Sequence, residues 1–107
     1  MTGGSQKRPW DALVEIGEWI SFSGGGRASG EPGLRFAANC FVPGGEEGPD
    51  VDIVSIVLER ASRDMTVWEA RFLAPALAMR SIEISQRIVV TEAIKPVALG
   101  VVIAVRP

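Results

Sequence analysis

Apolar and polar side chains alternate along much of this sequence, and glycine and proline cut the alternation into short runs. Successive side chains of a strand point to opposite faces, so a period of two marks a strand buried on one side. Ile82, Ile84, Ile88 and Val90 alternate with Ser81, Glu83, Ser85 and Arg87, and Gln86 interrupts the apolar face. Leu34, Phe36, Ala38, Cys40 and Val42 share a parity opposite Arg35, Ala37, Asn39 and Phe41. Val14, Ile16, Ile20 and Phe22 do the same opposite Glu15, Gly17, Trp19 and Ser21, with Glu18 as the exception. Residues 97–105 are apolar on both parities and rich in β-branched side chains, which predicts a strand buried on both sides. Gly100 within that run marks a bulge or a close backbone approach.

The separators are SGGGRASGEPG at 23–33 and PGGEEGP at 43–49. In both, Pro directly precedes Gly, which suits a type II turn: Pro fixes the first central φ and Gly supplies the positive second one. Two segments carry mixed signals. Residues 51–58 are β-branched, yet Asp52, Ser55 and Glu59 fall at helical spacings. Val and Ile lose side-chain freedom in a helix, so a strand is expected there. Thr66 and Glu69 match a capping box, and residues 70–79 are rich in helix formers. Pro75 would cost such a helix about 3 kcal/mol. That penalty predicts a strand over 66–73 and an irregular or one-turn helical link through 74–80. The fold class expected is all-β, or mostly β with one short helix. About six antiparallel strands would form a small sandwich or barrel. Residues 11–107 read as a single β domain, preceded by an N-terminal arm at 1–10.

The 107 residues suffice for one domain with its own core. A lone cysteine excludes a disulfide scaffold. No apolar stretch follows Lys7 and Arg8 as a signal peptide requires. The longest uncharged apolar run, 96–105, is half of what a membrane helix needs, and a membrane barrel needs more strands than this chain can supply. The expectation is a soluble protein, cytoplasmic or virion-associated, and not secreted by a signal peptide.

Catalytic chemistry has little to draw on. Histidine is absent, so no Ser-His or Cys-His pair can form. Cys40 lies on the apolar parity of its strand and reads as a buried structural thiol. The usual zinc sets are excluded, and Glu46, Glu47, Asp50 and Asp52 do not follow EF-hand spacing, so no metal is expected. Glu31 stands where a phosphate loop needs Lys, and Ser29 stands where the dinucleotide pattern needs its third Gly. No cofactor and no small-molecule substrate are therefore expected. A net charge of −2 argues against a general nucleic-acid binder. Charge is nonetheless uneven: residues 1–59 carry nine acids and four bases, and residues 60–107 four acids and seven bases.

The remaining signals point to other protein chains. Trp19 and Phe41 fall on polar parities, and pairing of strands 12–22 and 33–42 as a hairpin would bring both to one outer face. Exposed aromatics are enriched in interfaces. In the arm, Lys7 and Arg8 would meet carboxylates of a neighbouring subunit, and Trp10 would anchor the arm at the domain. The function expected is a non-catalytic interaction module, a small structural subunit of a homo- or hetero-oligomeric assembly. A decoration, connector or cement protein of a viral or phage particle is one form. The alternative is a soluble inhibitor or immunity-type protein that blocks an enzyme or nuclease through its acidic half. A small barrel holding a ligand inside is a third reading, opposed by the bulk of the inward side chains.

Overall fold

A computed structural model describes residues 9–20, 31–42, 53–78, 82–93 and 95–106. Six strands among them form one antiparallel sheet: β1 (Ala12–Trp19), β2 (Arg35–Phe41), β3 (Val54–Glu59), β4 (Val67–Phe72), β5 (Arg87–Glu92) and β6 (Lys95–Val105). They close into a barrel in the order β1-β4-β3-β2-β5-β6 and back to β1. The fold is all-β, and of sandwich and barrel it is the barrel. The expected strand at 66–73 is β4, and its link is one helical turn, α1 (Pro75–Ala78). Pro75 opens that turn, where its missing N–H costs nothing. The strand expected near 51–58 is β3.

Inward positions fill the barrel. Ile16, Ile56, Leu58, Trp68, Phe72, Ile88, Val90 and Val102 are all essentially inaccessible. Burying each aliphatic or aromatic side chain of this size contributes about 1.5–3 kcal/mol, and a six-stranded ring has room inside for little else.

The sequence pattern and the structure part company where the ladder slips. β1 and β2 are not neighbours: β1 pairs with β4 and β6, and β2 with β3 and β5. In the β1–β6 ladder Glu15 faces Val101 and Glu18 faces Leu99, so β1 carries one extra residue there. A bulge of this kind reverses the parity beyond it. This explains Glu18, the odd acid in an apolar parity: after the bulge it points outward. It also turns Trp19 inward, where its ring meets Phe36 and Trp68 edge-on at 5.6 Å each. A Cβ on Gly100 would lie 2.7 Å from Val14 Cγ1 and 3.3 Å from the Glu15 carbonyl oxygen, so glycine permits the close β1–β6 approach.

Two further expectations need correction. The alternation over 81–91 becomes a strand only from Arg87. Ser85 adopts a left-handed φ of 74°, and Gln86 N donates to the Glu83 carbonyl, so residues 83–86 turn and Ile84 is exposed. β6 is buried on one side only, because a closed single-layer ring has no second layer to cover its outer face.

One end of the barrel is closed by Arg60. Its guanidinium donates to the carbonyls of Gly33 (2.7 Å), Pro32 (2.7 Å) and Met65 (2.9 Å) and to Glu31 Oε2 (2.9 Å). It also stacks 4.2 Å above the Trp68 ring. Among the described residues the shortest ladder is β2–β5, where Asn39 pairs with Thr91, Cys40 with Val90 and Phe41 with Val89.

Candidate interaction face

The expected interface residues fall in three different settings. Lys7 and Arg8 lie outside the described residues. Trp10 is half-buried and held by its own chain: Arg106 sits 4.1 Å over its ring and donates from Nε to its carbonyl at 2.8 Å. Trp19 is half-buried and packs against the barrel core instead of standing on the outer face. Phe41 is half-buried and stays on the outer parity of β2, beside Val89 of β5.

The outer surface is divided between two kinds of chemistry. Across β3 and β4 it is ionic. Arg71 bridges Glu59 at 3.1 Å and Glu69 at 2.9 Å. Across β5 and β6 it is apolar. Leu99, Val101 and Ile103 follow one another along the outside of β6 with 61%, 39% and 41% of their surface exposed. The ladder extends this strip sideways. Phe41, Val89, Leu99 and Glu18 form one row across β2, β5, β6 and β1. Arg87, Val101 and Glu15 form the next. An open groove of about 320 Å³ lies between β5 and β6, with Val89, Leu99 and Val101 among its walls. Scattered exposed aliphatics are ordinary on a globular protein; here three lie contiguous along one strand and are rimmed by charge.

β6 contributes no aromatic to the strip, and its apolar pattern predicts burial on both sides. The signal was present in the double-sided apolar run at 97–105. Among the described residues, six strands in one layer leave the second side of that run exposed.

Cys40 is fully buried in β2, and burial pushes its thiol up to about 12, which disfavours the thiolate near neutrality. Trp68 Nε1 is the buried side-chain polar atom left without a partner among the described residues. No three Asp, Glu or Cys among the described residues gather closely enough to hold a metal ion. Glu46, Glu47, Asp50 and Asp52 lie outside the described residues. No described helix is long and apolar enough to cross a membrane. No family model, curated protein or solved structure matches the chain.

Proposed function

We propose that this chain is a non-catalytic protein–protein interaction module, a small structural subunit that docks through the outer face of β5 and β6. The observation that carries this reading is the exposed strip of Leu99, Val101 and Ile103, flanked by Phe41 and Val89 and rimmed by Glu15, Glu18 and Arg87. The filled interior supports it, since a barrel packed with Trp68, Phe72 and five or more branched side chains has its binding surface outside. The missing histidine and the buried Cys40 support the non-catalytic part. A particle subunit with a decoration, connector or cement role is the concrete form of this proposal.

A photo-crosslinking residue placed at Val101 in the producing cell tests it, with Glu69 on the ionic side as the control position. Protein adducts at position 101 and not at 69 are the expected result. An empty position 101 would refute the reading.

A further inference from the structure

We infer that the strip along β6 receives a second copy of this chain, in a two-fold dimer whose axis runs along β6. This rests on the reading that the face docks protein, and it names the partner.

The charges beside the strip supply the argument. Glu15 and Glu18 flank β6 on the β1 side, opposite Val101 and Leu99. Arg87 flanks it on the β5 side, opposite the same Val101. Adjacent strands lie about 4.8 Å apart, so acid and base stand roughly 10 Å apart across the apolar ridge. Arg87 and Glu18 make no ion pair with any described residue. Turning a second barrel by 180° about the direction of β6 exchanges left and right. Arg87 of the second copy then stands over Glu15 and Glu18, and Arg87 of the first stands over the same two acids of the second. Each row is satisfied twice, as an isologous interface requires. A two-fold axis across the strands would instead set acid on acid and base on base. Apolar contact between the ridges supplies the attraction, and the charges choose the orientation.

The chain's own arm fits the face less well. Trp10 is held beside Arg106, near the Ile103 end of the strip, and residues 1–8 lie outside the described residues. Their sequence, MTGGSQKR, brings a single apolar side chain and would leave Leu99, Val101 and Ile103 mostly uncovered. A second copy brings a matching row of all three.

Sedimentation equilibrium on the purified chain reads the proposal directly. The expected particle is twice the 11.4 kDa chain at high micromolar concentration. Leu99→Glu and Val101→Glu should each weaken dimerisation at least tenfold. Both sites are exposed, so circular dichroism, and the melting temperature at dilutions where the unsubstituted chain is monomeric, should not change; Leu99→Ser repeats the test should a Glu variant misfold. Arg87→Glu should weaken the dimer, and adding Glu15→Arg should restore it. A monomer at every concentration overturns the inference, as does a dimer indifferent to both Glu variants, or a charge reversal that the second substitution fails to rescue. A dimer lost on deleting residues 1–8 but retained in Val101→Glu overturns it in favour of the arm. A monomer whose position 101 crosslinks to a different protein overturns the second-copy assignment and leaves the interaction module standing. A monomer with no crosslink removes both.

Discussion

Replacing Arg60 with Ala should unlatch one end of the barrel. The side chain is only 3% exposed, while its ionic partner Glu31 is half in solvent. The ion pair itself therefore adds less than about 1 kcal/mol. The three carbonyl contacts weigh more. Gly33, Pro32 and Met65 each accept from a charged donor at 2.7–2.9 Å, and such bonds are worth about 1.5–3 kcal/mol apiece when measured singly. They share one guanidinium, and water can reach some of the freed carbonyls, so the sum is well below three times that value. Loss of stacking on Trp68 at 4.2 Å adds roughly 1 kcal/mol. The total expected is about 4 kcal/mol, or roughly 15 °C of melting temperature for a chain of this size. Arg60→Lys keeps the charge and loses the planar fork, so it should cost about half as much. Urea unfolding followed by far-UV circular dichroism measures both. A loss under about 1 kcal/mol for Ala, with Lys no different, would show that the loops around Gly33 and Met65 hold without the latch.

Gly100→Ala should destabilise by about 1–3 kcal/mol in the same assay, because its Cβ would press on Val14 and the β1 backbone. Trp19→Ser should lower the melting temperature sharply, by about 2–4 kcal/mol in stability, through lost packing on Phe36 and Trp68; an unaltered melt with altered assembly would restore an outer role to Trp19. Cys40 should resist thiol reagents at neutral pH until the chain unfolds. Its folded thiol ionises near 12 against an ordinary 9.0, so that contribution to stability is complete below pH 9 and declines by about 1.4 kcal/mol per pH unit above it. A Cys40→Ala variant should show a shallower alkaline decline, and identical alkaline slopes would contradict the burial argument.

The strands were readable because each has one wet and one dry side. Phe36, Cys40, Ile88 and Val90 sit inward where period two puts them. Pro75 located the end of β4 for a local reason, a missing donor. Strand neighbours were not readable, since nothing local in residues 12–22 and 33–42 reveals that β6 and β4 stand beside β1. The bulge near Gly17 was hidden for a related reason: it is defined by the partner strand, and only Glu18's wrong parity hinted at it. That single slip decided the placement of Trp19. The strip on β6 was visible as composition, but its exposure follows from ring closure, which is a property of the whole chain.

The hydrogen bond from Arg106 N to the Asp11 carbonyl, 2.9 Å long, brings the two ends of the domain together at one mouth of the barrel. It has a mechanical consequence. β1 and β6 run antiparallel and are joined at that mouth, so a force pulling residues 11 and 106 apart loads one hydrogen bond at a time. The ladder peels open like a zip instead of resisting in shear. A barrel tethered through both ends would yield at low force, whereas one gripped by its β6 face would carry load across the full ring. Load is better borne by the wall of this barrel than by its ends.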